Sequence, residues 1–169
     1  MTKRTAVVIG VGAEIGLGAA LCRRFASEGL HVLIAGRTPS KLEQVVRSIL
    51  AAGGSAEAVP MDTTSEADVV KLFDRAMAPA NGRQAAELIV YNAAGNQKVD
   101  FRELSAELFE RFWRVGCFGG FLVGREAARR LVPLRRGTVI FTGASASLRG
   151  RNRVVPRRPA NPATPGVST

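Results

Sequence analysis

Residues 5–18 read TAVVIGVGAEIGLG, a short apolar run that meets four closely spaced glycines and then enters an amphipathic pattern. Thr5–Ile9 has the composition of a buried parallel strand, and Ile15–Glu28 carries apolar residues at helical spacing. Glycines between a strand and a helix let the backbone turn sharply and approach a phosphate, which the helix N-terminus attracts. This junction therefore predicts a pyrophosphate site in a first βαβ unit.

The alternation of short apolar runs and longer amphipathic runs continues almost to residue 142. Further strands are predicted at His31–Ala35, Ala56–Pro60, Glu87–Tyr91 and Thr138–Thr142, and helices over 38–52, 65–77 and 103–131, the last divided or bent near Gly116 and Gly119–Gly120. Such apolar strands need helices on both faces of their sheet. The sequence therefore predicts a doubly wound α/β fold of Rossmann type, with a parallel sheet of about five strands.

Length and composition narrow the class of protein. A chain of 169 residues predicts one domain, and no apolar run reaches the length of a membrane span. Cys22 and Cys117 are far apart and His31 is the single histidine, which excludes a disulfide framework and a zinc finger. With no signal peptide recognised at the start, we expect a cytoplasmic protein without a membrane partner.

The net charge of +10 is concentrated near the end of the chain, where residues 127–169 hold nine arginines and no acid. We place the domain at residues 1–150 and expect 151–169, rich in Pro and Arg, to be a disordered tail. A basic tail can bind nucleic acid electrostatically. Because such runs are more often solvated segments, we do not expect a nucleic-acid partner.

The spacing Gly12-xxx-Gly16-x-Gly18 resembles the TGxxxGxG turn of the short-chain dehydrogenase/reductase family, with Val11 at the place of the Thr. Five other features follow in the family's order: Ala35-Gly36-Arg37, Asp62-Thr63, Tyr91-Asn92-Ala93-Ala94-Gly95, Phe112–Phe121 and Thr138–Ser147. The resemblance spans residues 5–150. It implies an oxidoreductase that transfers a hydride between a nicotinamide dinucleotide and a small carbonyl or alcohol substrate.

The resemblance also implies which residues contact the cofactor. The expected residues are Gly12, Glu14, Ile15, Gly16, Leu17, Gly18, Arg37, Asp62, Thr63, Asn92, Ala93 and Ala94, with Asp62 in the place of the Asp that contacts adenine. An acid at the end of the second strand would bind the ribose 2′-hydroxyl of NAD, but this chain has Gly36 and then Arg37. A guanidinium suits a 2′-phosphate, so NADP(H) is expected over NAD(H), although the carboxylate of Glu14 counts against that preference.

The catalytic half of the family pattern does not match. Family members use a Tyr, followed by a Lys four residues later, as the acid–base pair, together with a Ser and an Asn. This chain has one tyrosine, Tyr91, on the fourth predicted strand, and no lysine after Lys98. Gly116 stands at the Asn place and Ala144 at the Ser place, which leaves only Ser145, one residue on, as a weak catalytic candidate.

We therefore expect an oxidoreductase that is impaired by the loss of its Tyr–Lys pair. The change of composition after Gly150 is typical of a truncated or frameshifted product that lacks its last strands, and the resulting open sheet edge is compatible with a homo-oligomer. The alternatives are a non-catalytic NADP(H)-binding regulator, a defective fragment, or a hydrolase. The hydrolase would use Gly143-Ala-Ser145-Ala-Ser147 as its nucleophile elbow, but no histidine follows that serine.

Overall fold

Five parallel strands form one sheet in the computed structural model, which describes residues 2–80, 82–95, 97 and 99–144. They are β1 Lys3–Ile9, β2 His31–Gly36, β3 Ser55–Pro60, β4 Arg83–Tyr91 and β5 Thr138–Phe141. Their order is β3-β2-β1-β4-β5, and every neighbouring pair is parallel. The predicted doubly wound sheet of about five strands is confirmed. The expected tail, 151–169, lies outside the described residues.

The helices divide between the two faces of the sheet. They are α1 Leu17–Ser27, α2 Pro39–Ala51, α3 Glu66–Met77, α4 Ala106–Trp113 and α5 Gly119–Leu131. Alternate residues of β1 point to opposite faces, as a strand requires. Val8 packs in a core with residues of α1 and α2, whereas Val7 and Ile9 pack in a second core with residues of α3 and α5. Two apolar layers therefore enclose the sheet.

The helix predicted over 103–131 is divided rather than bent. A 3₁₀ turn, Phe101–Glu103, comes before α4, and a π-helical turn, Arg114–Phe118, joins α4 to α5. At the start of α5, a Cβ on Gly119 would lie 2.6 Å from the hydroxyl oxygen of Tyr91. The absence of a side chain at this position lets α5 pack directly against the end of β4.

One local prediction needs correction. β4 begins at Arg83 rather than Glu87, because Arg83 pairs with Lys3 at the start of β1. Ser65 caps α3 by accepting the Asp68 N–H at 3.3 Å, and the carboxylate of Asp68 accepts the N–H of Asp62. The side chain of Asp68 therefore helps to fix the loop after β3.

β5 lies at the edge of the sheet, and among the described residues it pairs with β4 alone. Its Val139, Ile140 and Phe141 are 37%, 42% and 53% exposed, so this edge strand exposes apolar side chains on both faces of the sheet. No helix among residues 2–80, 82–95, 97 and 99–144 has both the length and the apolar character that a membrane crossing needs.

A charged network occupies the amino ends of β2, β3 and β4. His31 Nδ1 lies 2.7 Å from Ser55 Oγ, and its Nε2 lies 4.0 Å from a carboxylate oxygen of Glu57. Arg75 of α3 donates two hydrogen bonds of 2.9 Å to that carboxylate, and Arg83 lies 3.9 Å from it. Burial lowers the pKa of His31, and the cations Arg83, Lys3 and Arg75 lower it further against the opposing effect of Glu57.

This network predicts that acid destabilises the fold through His31. Because the pKa of His31 is lowered in the folded state, protons bind preferentially to the unfolded chain once the pH falls below about 6.5, the ordinary histidine value. The free energy of unfolding, measured by urea denaturation, should therefore fall as the pH is lowered through this range. His31→Gln should flatten that slope, and an unchanged slope in the variant would exclude His31 as its source.

Candidate functional site

A cleft of about 230 Å³ opens at the carboxyl ends of the strands, where β1 and β4 lie side by side. From β1 the chain continues to β2 and β3 on one side, whereas β4 leads to β5 on the other. Open α/β sheets bind their ligands at such a switch in strand order. The cleft is lined by Gly10, Val11, Gly12, Gly36, Arg37, Thr38, Lys41, Met61, Thr63, Asn92, Ala93, Ala94 and Val115.

The glycine turn after β1 is fixed by its backbone. The N–H groups of Gly10 and Val11 donate to the carbonyl of Ala35 at 2.9 and 3.1 Å. Gly10 has a φ of +92°, and a Cβ there would lie 2.5 Å from the Cα of Ala93. Any other residue at position 10 would therefore push β1 and the segment after β4 apart.

The same turn leaves room for a phosphate group. A Cβ on Gly12, which lines the cleft, would meet nothing within 4 Å, so the cleft wall here is bare backbone. Helix α1 begins after Gly16, which gives no side-chain cap, and its first turn contains no acid. Uncapped N–H groups and the positive end of the helix dipole favour an anion. The residues present therefore fit the diphosphate of a dinucleotide.

Asn92 joins the ends of three strands beneath the cleft. Its backbone N–H donates to the carbonyl of Ile9 at 2.7 Å, and its side-chain amide donates to the carbonyl of Gly10 at 3.2 Å. Its side-chain oxygen accepts the hydroxyl of Thr142, which follows β5, at 3.1 Å. This asparagine therefore holds β1, β4 and β5 in register at the switch in strand order.

Positive charge lines the cleft on the side of α2. Arg37 follows β2, and Lys41 lies in the first turn of α2; both side chains are exposed and both residues line the cleft. The N-cap of α2, Thr38, makes no side-chain hydrogen bond, and no acid is present in the first turn. A phosphate group placed here would meet two cations and a helix N-terminus.

The structure brings half of the predicted cofactor residues to this cleft. Of the predicted residues, Gly12, Arg37, Thr63, Asn92, Ala93 and Ala94 line it, whereas Glu14, Ile15, Gly16, Leu17, Gly18 and Asp62 do not. Asp62 carries its side chain elsewhere, because its carboxylate accepts both the N–H and the hydroxyl of Thr64. Ile15 is 96% exposed and Leu17 is 58% exposed, so both apolar side chains lie open beside the glycine turn.

Among the lining residues that the sequence reasoning missed, Lys41 is the one with a charged side chain. The sequence feature that could have indicated Lys41 is its position in the first helical turn after Arg37. Residue spacing alone does not tell a lysine that faces a cleft from one on a solvated helix surface.

Of the residues considered for catalysis, those that the structure describes do not line the cleft. Tyr91 is 4% exposed, donates its hydroxyl proton to the carbonyl of Val115, and has a pKa that burial raises above its usual value. Gly116 lies in the π-helical turn, and Ser145 lies outside the described residues. His31, which a hydrolase would need, lies at the amino end of β2, whereas the cleft is at the carboxyl end.

Comparison with known proteins gives a consistent family. The family model described as short chain dehydrogenase matches residues 5–156. An uncharacterized oxidoreductase, YuxG, of Bacillus subtilis is 35% identical over 145 residues, which are 84% of this chain and 21% of that protein. Of the next two curated relatives the matches cover 51% and 48%, so the chain spans about half the length of its relatives, or less.

Solved structures agree with this comparison. A short-chain dehydrogenase from Rhodopseudomonas palustris has a TM-score of 0.76 and 35% identity, with 88% of this chain and 67% of that chain covered. A metagenomic short-chain oxidoreductase, solved in complex with NADP, has a TM-score of 0.72 and 28% identity, with 83% and 62% covered.

The role of Asn92 predicts a measurable loss of stability on its removal. Asn92→Ala removes the hydrogen bonds to Gly10 and Thr142 and leaves a partly buried carbonyl without its donor, which should cost about 1–3 kcal/mol of unfolding free energy. Thr142→Val removes only the hydroxyl and should cost less. Urea denaturation compares the two, and equal losses would show that the amide of Asn92 does not hold the strands together.

Proposed function

The chain belongs to the short-chain dehydrogenase/reductase family of oxidoreductases, and from that premise we propose that it binds a nicotinamide dinucleotide, NADP(H) in preference to NAD(H), in the cleft at the switch in strand order. The observation that carries this proposal is one cleft that has bare glycine backbone on one side and Arg37 with Lys41 on the other. The glycine backbone would bind the diphosphate, and Arg37 and Lys41 would bind the 2′-phosphate.

The preference for the phosphorylated cofactor rests on charge at the end of β2. An acid at this place would accept the ribose 2′-hydroxyl of NAD and repel a phosphate, but the strand ends in Gly36 and is followed by Arg37. Lys41 adds a second cation within the first turn of α2. The related metagenomic oxidoreductase, which was solved with NADP, supports the same choice.

For the chemistry, we propose the family's reaction class, with a small carbonyl or alcohol as the substrate, for the whole protein. The bound nicotinamide supplies or accepts the hydride. The protein must supply a proton donor, and the one tyrosine among the 169 residues, Tyr91, has its hydroxyl committed to the carbonyl of Val115. This observation favours a second candidate function for these 169 residues, which is NADP(H) binding with little or no turnover.

Binding measurements test the cofactor proposal directly. In isothermal titration with NADPH and NADH, Arg37→Gln should weaken NADPH binding about tenfold and Lys41→Gln about threefold, because each removes one charged partner of the 2′-phosphate. Neither change should alter the affinity for NADH by as much. Absence of binding to either nucleotide by the unaltered chain would overturn the proposal.

Arg47→Gln is the matched control for these variants. Arg47 is an exposed arginine on the same helix, α2, but it does not line the cleft. Its loss changes the net charge by the same amount and should leave the affinity for NADPH within about twofold, since long-range charge effects are screened. An equal weakening by Arg47→Gln and Arg37→Gln would mean that the cleft cations act only through net charge.

The absence of a Tyr–Lys pair from the 169 residues predicts negligible turnover. With NADPH and a panel of small aldehydes and ketones, the chain should give no loss of nicotinamide absorbance above the rate without protein. The same preparation should bind NADPH in titration, so that inactivity is not mistaken for misfolding. Protein-dependent oxidation of NADPH with matching alcohol formation would contradict the second candidate.

A further inference from the structure

The hydroxyl of Tyr91 lies beside two residues that line the cleft. It donates to the backbone carbonyl of Val115, in the π-helical turn. The place of a Cβ on Gly119 is 2.6 Å from this hydroxyl oxygen, and 3.0 and 3.1 Å from the carbonyl and hydroxyl oxygens of Thr63. Val115 and Thr63 both line the cleft, whereas Tyr91 does not. Tyr91 can therefore act on the cleft only through these neighbours.

The surroundings of Tyr91 keep its hydroxyl in place as a donor. β4 ends at Tyr91, and the centroid of its ring lies 6.0 Å from that of Phe141 on β5. Burial raises the pKa of the hydroxyl against the opposing effect of a hydrogen bond from the side chain of Thr63, so the group stays protonated at neutral pH. A π-helical turn is an irregular segment between two α-helices. A buried donor at the end of a strand therefore helps to fix where the turn at Val115 lies.

The wall that Tyr91 supports is next to the cationic side of the cleft. The N–H of Met61 donates to the carbonyl of Gly36 at 2.9 Å, so the segment that leads from β3 to Thr63 begins beside Arg37. The proposed 2′-phosphate would lie at Arg37, and the adenosine half of the dinucleotide carries that phosphate. Apolar lining such as Met61 and Val115 suits the flat face of a base. The adenosine half would therefore extend from Arg37 toward Val115.

We propose that Tyr91 is a positioning residue for the adenosine half of the dinucleotide, because its hydroxyl holds the turn at Val115 beside Thr63 in the cleft wall. This inference rests on the proposed binding of NADP(H) in the cleft. The hydroxyl itself touches no nucleotide. Without it, the carbonyl of Val115 loses its donor and the wall is less firmly placed. The nucleotide must then order this wall as it binds, which weakens binding.

Titration of the full chain with NADPH and with adenosine 2′,5′-bisphosphate tests the proposal. Tyr91→Phe keeps the ring and removes the hydroxyl, and it should weaken the binding of both ligands by the same factor, about threefold to tenfold. The factors should agree because the two ligands share the adenosine half. Weakened binding of NADPH alone would place the effect on the other half of the dinucleotide, and unchanged affinities would show no effect. Either result would overturn the proposal.

Thr5→Val is the matched control. Thr5 is fully buried in β1, and its hydroxyl donates to the carbonyl of Gln84 at 2.6 Å, away from the cleft. Both variants remove one buried hydroxyl that donates to a backbone carbonyl, and urea denaturation should show losses of similar size. Thr5→Val should leave both affinities within about twofold, because distant sites act independently. An equal weakening of binding by the two variants would mean that Tyr91 acts only through the stability of the fold.

A double-mutant cycle tests whether Tyr91 acts through Val115. Val115→Ala shortens a side chain of the cleft wall and should itself weaken the binding of adenosine 2′,5′-bisphosphate. Adding Tyr91→Phe to Val115→Ala should then cost less affinity than Tyr91→Phe costs in the unaltered chain. Additive losses would overturn the positioning role while leaving dinucleotide binding intact. If the unaltered chain bound neither ligand, the proposed function would fail together with this inference.

Discussion

The close approach between the end of β1 and the segment that follows β4 is the constraint on which the rest of the structure depends. Gly10 has a positive φ and no side chain, so the two segments touch through their backbones. Asn92 then donates its amide to the carbonyl of Gly10 and joins the end of β5 through Thr142. One missing side chain and one amide thus define the floor of the cleft.

The charge of this cleft depends on the local arrangement of its residues rather than on the total charge of the chain. Residues 1–126 hold 15 basic and 14 acidic side chains, so the main part of the chain is nearly neutral. The cations that matter are Arg37 and Lys41, which the end of β2 and the first turn of α2 bring to one wall. The uncapped start of α1 adds a partial positive charge near the other wall. Local geometry therefore gathers positive charge at the cleft although residues 1–126 carry little net charge.

The sequence predicted the fold better than it predicted the site. Short β-branched runs bounded by glycine, such as Thr5–Ile9, favour buried strands, so the five-stranded sheet followed from composition and spacing. The start of β4 was missed because residues 83–86, RQAA, have no β-branched or aromatic side chain and join the sheet through pairing with β1. Long-range pairing overrides local propensity in a way that spacing does not reveal.

Site residues were harder to predict, because a side chain's direction depends on its competing partners. Asp62 follows β3 at the expected place, but its short carboxylate bonds to Thr64 two residues on, as aspartates in loops often do. Lys41 looks like any lysine on a helix until the strand order shows that the start of α2 faces the cleft. Backbone features such as the glycine turn were predictable, since few residue types satisfy them.

The environment of Tyr91 is the structural basis for proposing cofactor binding without turnover. Carbonyl reduction needs a hydride and a proton, and the proton must come from a group that reaches the substrate. The hydroxyl of Tyr91 instead donates to Val115 in the π-helical turn, close to Gly119, and burial raises its pKa. This tyrosine fixes the junction of α4 and α5 against β4. Because Tyr91 is the single tyrosine of the 169 residues, no other tyrosine among them could supply the proton for the proposed chemistry.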